Sequence, residues 1–230
     1  MSPIDTAALA IFILCWIGYE PLRRSLAKRR GGSINLDMYP VREAWMRRFL
    51  ARDNRIMDVN LLGHLLNSAS FFASTNLLVI AAAAGVLFGG EAMRSNLQDL
   101  EFASPASDWL IELKVGVVII TLSRGLLDFV WAIRQLNYAM ALLGAAPDAI
   151  DKEKHEAFVA AASDVLHPSF SAFNTGVRAY YFALAAAAWL ISPWAMVLGV
   201  VATVAILLRR QMHSQAARGI RAARDLCVKD

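Results

Sequence analysis

Charge is scarce in this chain of 230 residues: only 18% are Asp, Glu, Lys or Arg, against 57% that are hydrophobic. With a mean hydropathy of +0.45, the chain lies well outside the usual range of a water-soluble domain, which carries about a quarter charged residues. Cysteine is scarcer still. Cys15 and Cys227 stand far apart on chemically different segments, which excludes a disulfide framework and a CxxC site. No GxSxG, HExxH, Walker or GxGxxG pattern occurs, so hydrolase, metalloprotease and nucleotide-binding chemistry find no support. His64, His155, His167 and His213 show no metal-ligand spacing, and none falls at mid-span like a haem ligand. No catalytic residue, metal or cofactor is expected. The amino terminus also lacks the basic start and small-residue exit of a cleaved signal peptide, so residues 6 to 22 are expected to remain as a span.

What is abundant is apolar length, including the uncharged runs Leu77 to Gly90 and Ala179 to Leu208. Apolar segments cover roughly residues 6 to 22, 66 to 90, 109 to 133 and 169 to 208, each long enough to reach across hydrocarbon. The last is too long for one ordinary span and contains Ser192-Pro193-Trp194. Ser followed by Pro is the cap and first turn of a new helix, which predicts two helices, Pro168 to Ile191 and Pro193 to about Arg210, joined by a tight turn. One kinked helix is the other reading.

Basic residues decide between the two. Leu22 to Leu65 holds ten basic residues against four acidic, Glu91 to Asp108 holds one Arg against four carboxylates, and the tail from Arg209 holds six basic against two acidic. Net charge is +4, yet basic residues that flank apolar spans read as topology, and the basic loop lacks the interleaved aromatics of a nucleic-acid surface. The expected fold is an all-α polytopic membrane bundle of five spans, N-terminus out and C-terminus in; four spans would leave the basic tail outside. A bacterial inner membrane is the expected location.

Two stretches at the inner side read as amphipathic helices, at about 41 to 65 and 151 to 166. In the first, opened by Pro40, Trp45 and Phe49 lie four apart among Arg42, Arg47, Arg48, Arg52 and Arg55, which suits either anionic lipid headgroups or a partner subunit. The second, opened by Asp151, is expected to pack against the first.

Polar residues within the spans fall into stripes. At ~100° per residue, Lys114, Thr121, Arg124, Asp128 and Gln135 share one face of the third long segment. His64, Asn67, Ser68, Ser74 and Thr75 share a side of the second, and Ser171, Asn174, Thr175 and Arg178 a side of the fourth. Such faces turn toward protein or water, making either a satisfied hydrogen-bond core or a hydrated path. Lys114, Arg124 and Arg178 against Asp128 would make such a path prefer anions. Gly85 and Gly89 form a GxxxG that suits close helix packing.

The runs Arg52-Asp53-Asn54-Arg55-Ile56-Met57-Asp58, Ser70-Phe71-Phe72-Ala73-Ser74-Thr75, Arg134-Gln135-Leu136-Asn137-Tyr138 and Phe173-Asn174-Thr175-Gly176-Val177-Arg178-Ala179-Tyr180-Tyr181-Phe182 resemble those of a membrane-protein family of bacteria and plants catalogued as domain of unknown function 599. The resemblance runs from about residue 40 to the tail and implies an inner-membrane protein, with no activity to carry over. The leading expectation is a homo-oligomeric channel or transporter-like protein passing small ions. The other is a non-conducting accessory or scaffolding subunit that binds protein partners or anionic lipid. An enzyme is not expected.

Overall fold

A computed structural model describes residues 1–30, 32–89, 108–147 and 151–227; residues 91 to 107 of the acidic connection lie outside these. Every regular element among the described residues is helical: α1 (Pro3–Arg30), α2 (Ile34–Leu50), α3 (Ile56–Phe88), α4 (Asp108–Gly144), α5 (Lys152–Ala187), a 3₁₀ turn (Ala188–Leu190), α6 (Pro193–His213) and α7 (Gln215–Cys227). Three stretches are long and apolar enough to cross a membrane: Pro3–Arg29, Ile56–Phe88 and Pro193–Cys227. The helices α4 and α5 are longer, 37 and 36 residues.

Side-chain pairings give the helix directions. Asp5 meets Trp189 and Glu20 meets Arg178, so α1 runs antiparallel to α5. Phe129 lies against Phe173 while Gly125 lies against Ala179, so α4 is antiparallel to α5. By the same reasoning Asn76 with Leu122 and Phe72 with Phe129 make α3 antiparallel to α4, and Thr203 with Tyr181 and Gly199 with Ala185 make α6 antiparallel to α5. The five long helices therefore alternate in direction along the chain.

The turn between α5 and α6 follows from Ser192 and Pro193. Ser192 is extended (φ −164°, ψ 157°), its Oγ accepts from the Ala195 amide at 3.0 Å, and Pro193 occupies the first turn, where its missing N–H costs nothing. Pro168, in contrast, does not open a helix. It lies inside α5, because both it and Asp164, whose carbonyl loses its partner, sit on the exposed side of the helix.

The basic stretch after α1 also differs from a single helix over residues 41 to 65. Here α2 begins at Ile34, ahead of Pro40, and ends at Leu50. Asn54 Oδ1 accepts from the Ile56 amide at 3.0 Å, a side-chain turn that competes with helix and separates α2 from α3. Gly32, at φ +139°, turns α1 into α2; a Cβ there would lie 2.8 Å from the Asp37 carboxylate.

Two apolar cores result. One joins α1, α5 and α6 through Phe12, Phe182, Trp189, Met196 and Val200. The other joins α2 to the ends of α4 and α5 through Met46, Phe49, Leu136, Val159 and Leu166. Arg47 with Glu156 at 3.0 Å ties α2 to the start of α5 beside this core, and Asp37 with Arg224 at 2.6 Å and Arg221 at 3.3 Å ties α2 to α7.

Candidate functional site

Close approach of α4 and α5 sets the site. Gly125 and Gly176 leave no room for side chains: a Cβ on Gly125 would lie 2.7 Å from Ala179 Cβ, and one on Gly176 would lie 2.8 Å from the Phe129 ring. The rings of Phe72, Phe129 and Phe173 pack around this crossing, and Tyr180 donates its hydroxyl to the Phe72 carbonyl at 2.8 Å. Beside it, toward α1, opens a groove of about 380 Å³ lined by Trp16, Arg124, Asp128, Thr175, Arg178 and Phe182, among others.

Charge in this groove is largely paired. Arg124 donates to Asp128 at 3.1 Å, one helical turn away, while Arg178 donates to Glu20 at 3.0 Å and to Thr175 at 3.1 Å and lies over the Tyr19 ring. The Arg124 side chain is nevertheless 59% exposed, whereas that of Asp128 is 12% exposed. One carboxylate oxygen of Asp128 is buried without a partner among the described residues. The accessible charge of the groove is therefore positive.

The other residues of the α4 stripe lie elsewhere. Thr121 is buried and spends its hydroxyl on the Val117 carbonyl at 2.8 Å. Lys114 belongs to a separate cluster, its ammonium 5.7 Å from the Trp189 ring, whose N–H donates to Asp5 at 2.9 Å. The apolar core of Phe12 and Phe182 stands between this cluster and the groove. Gln135 is half-buried, and its carbonyl oxygen has no partner among the described residues. Asn174 bonds to Asn35 of α2 at 3.1 Å.

The helix α3 contributes differently from the expected side. Asn67 and Ser74 are exposed and Thr75 is half-buried, while Leu62, Ala69 and Asn76, seven residues apart, form the buried ridge that meets α4. Asn76 donates to the Leu122 carbonyl at 2.9 Å, an interhelical bond absent from the polar stripe read in the sequence. The GxxxG lies off this ridge: Gly85 has open space where a Cβ would stand, and Gly89 is exposed at the helix end. Glu20, the other group that the stripes missed, could have been found from its charge within the first apolar helix.

The basic residues of α2 and of the turn after it separate. Arg48 is exposed and Arg47 pairs with Glu156. Arg52 joins the Trp45 N–H on one oxygen of the fully buried Asp58, and Arg55 donates to the carbonyls of Ala146 at 3.0 Å and Pro147 at 3.2 Å. Arg42 points inward, 8% exposed, with its guanidinium 4.1 Å from the centre of the Phe170 ring. Its Nη1 lies 3.5 Å from His167 Nδ1, and the His167 ring stacks on Tyr39 with centroids 3.4 Å apart.

Burial, together with Arg42 and against the weaker pull of Asp164, pushes His167 down from 6.5 to about 4. Arg42 and Tyr39 face the ring from α2, and Asp164 from its own helix. Between those values the unfolded chain binds a proton that the folded chain refuses. Stability is therefore complete above about pH 6.5 and falls as pH drops toward 4. Thermal unfolding of detergent-solubilised protein between pH 7.5 and 4.5 should show this decline, and His167→Gln should flatten it; an unchanged pH profile would exclude His167 as its source.

Neither a curated protein nor a solved structure matches the chain. A family model described as a protein of unknown function, DUF599, matches residues 7–216. The match takes in the Arg52–Asp58 corner, the α4–α5 crossing and the Arg124 groove alike, and the chain belongs to the DUF599 family.

Proposed function

We propose that the protein is an oligomeric inner-membrane protein of bacteria, with five spans, N-terminus out and C-terminus in, whose copies meet around the Arg124 face and pass small anions along it. The alternating directions of α1, α3, α4, α5 and α6 support five crossings. The basic segments after α1 and from Arg209 onward lie at the same end of the bundle, where Asp37 meets Arg221 and Arg224, and this supports the orientation.

The observation that carries the reading is Arg124. It shares the exposed stripe of α4 with Ile120, Leu127 and Trp131, near the middle of the apolar stretch. A guanidinium at that depth costs several kcal/mol or more among acyl chains (~3 kcal/mol on insertion scales). Water or a second copy must cover it. Since Asp128 and Glu20 are engaged by arginines, a solute in the groove meets positive charge first.

In proteoliposomes of purified protein, chloride or another small anion should flux, and Arg124→Ala should reduce that flux at least tenfold while Arg124→Lys retains part of it. Silence from the wild-type protein overturns the reading. A second reading, a non-conducting accessory subunit, is favoured by the buried core of Phe12 and Phe182, against which Val117 and Val118 of α4 pack between Lys114 and Arg124. A silent wild type that co-purifies with a stoichiometric partner would support it.

A further inference from the structure

Where α1 runs out of its apolar stretch, a second cavity of about 490 Å³ opens between α1, α2 and α5. Its lining includes Arg23, Arg24, Lys28, Arg42 and His167, with Glu20 as its carboxylate. That carboxylate is already shared: it accepts from Arg23 at 2.7 Å, Arg24 at 2.8 Å and Arg178 at 3.0 Å. Lys28 and Arg42 have no carboxylate partner among the described residues. Four cations around one engaged acid leave a positive excess in a concave, partly dry setting.

Arg42 makes the cavity more than a basic surface. It is 92% buried, yet its Nε has no hydrogen-bond partner among the described residues, and burial pulls it down to about 10, which still leaves it charged at neutral pH. A buried guanidinium donor without an acceptor is costly, and arginine is the side chain whose planar fork best matches oxygens of a phosphate. His167 adds a second donor. Arg42 can only donate, so Nδ1 of the neutral ring accepts, which leaves the ring proton on Nε2. Nε2 is also buried without a partner. Leu36 and Tyr39, both at the cavity wall, are exposed large side chains that border it with apolar surface.

We propose that this cavity is a binding site for a phosphate group, held by Arg42 from the inside and by Arg23, Arg24 and Lys28 around the opening. The phosphate has two possible sources, an anionic phospholipid whose headgroup enters from the bilayer or a soluble phosphate anion. The site lies on α1, α2 and the middle of α5 and adjoins the Arg124 groove at the Glu20–Arg178 ion pair, but it does not depend on whether that groove conducts.

Binding is measured on the full-length protein in two arms: inorganic phosphate by calorimetry in uncharged detergent, and phosphatidylglycerol by native mass spectrometry and by retention in phosphatidylcholine nanodiscs. Arg42→Gln should weaken binding at least tenfold, the effect of one charge-assisted contact of about 1.5–3 kcal/mol. Because a buried position can fail to fold, Arg24→Gln with Lys28→Gln provides a second variant at exposed positions, and it should weaken binding severalfold with an unchanged melting temperature. Binding of phosphatidylglycerol alone assigns a lipid headgroup, and binding of phosphate alone assigns a soluble anion. If wild-type protein binds neither, or the double variant binds as tightly as wild type, the assignment is overturned.

Discussion

Gly176→Leu should leave almost no monodisperse protein after detergent extraction. The Cβ alone would stand 2.8 Å from two atoms of the Phe129 ring and 2.9 Å from a third, inside any real contact distance. The ring cannot retreat, for it is fully buried and stacked at 5.7 Å on Phe72, with Phe173 at 5.8 Å on another side. The helices must separate instead, and across the crossing Gly125 is already 2.7 Å from Ala179 by the same measure. Overpacking of a tight interior costs about 1–3 kcal/mol when side chains can shift; here the obstacle is a ring locked by its neighbours, so the upper end or beyond is expected. Gly85→Leu is the matched control, since nothing stands within 4 Å of a Cβ there. Fluorescence-detected size exclusion should show a collapsed peak for the first variant and a normal one for the second. Equal peaks would mean that α4 and α5 do not cross at these glycines.

The second large effect is expected at Asp58. Its carboxylate is fully buried and takes the Trp45 N–H at 2.6 Å together with Arg52, so it joins the end of α2, the following turn and the start of α3. Asp58→Ala strands the Trp45 donor and removes the counter-charge of an arginine whose side chain is 36% exposed. Breaking such a pair by removing one partner costs about 3–5 kcal/mol when both groups are buried; partial solvation of Arg52 lowers this to roughly 2–3 kcal/mol. Asp58→Asn keeps an acceptor for Trp45 and should recover about half of the loss. A drop in melting temperature for alanine with an intermediate value for asparagine checks the prediction; identical values for all three proteins would remove Asp58 as the lock of this corner.

Other positions show which parts of the fold could be read in advance. Ser192-Pro193 marks a helix start by local chemistry alone, and the break falls there. The α4 and α5 stripes bring Arg124, Asp128, Thr175 and Arg178 into one groove because residues three or four apart on a straight helix, two here on each, keep their angular relation whatever the packing. The α3 side misleads because a polar stripe says which side is hydrophilic and not which side docks. Leu62, Ala69 and Asn76 dock instead, and Asn76 is hidden in an apolar run. Arg42 reads as surface among five arginines, although its position four before Met46 and seven before Phe49 puts it on the buried side of α2. Glu20 carries the remaining lesson: a lone acid in the first apolar segment signals a partner, but only the fold supplies Arg178, 158 residues away.

That separation bears on how the protein is made. The first helix, with Asp5 and Glu20, leaves the ribosome long before Trp189 and Arg178, their partners 184 and 158 residues downstream. At ~5–20 residues per second the wait is on the order of ten to thirty seconds. During that interval Glu20 has Arg23 and Arg24 on its own helix to neutralise it, and Asp5 has Ser2. In the folded bundle each acid therefore keeps a local partner beside its distant one.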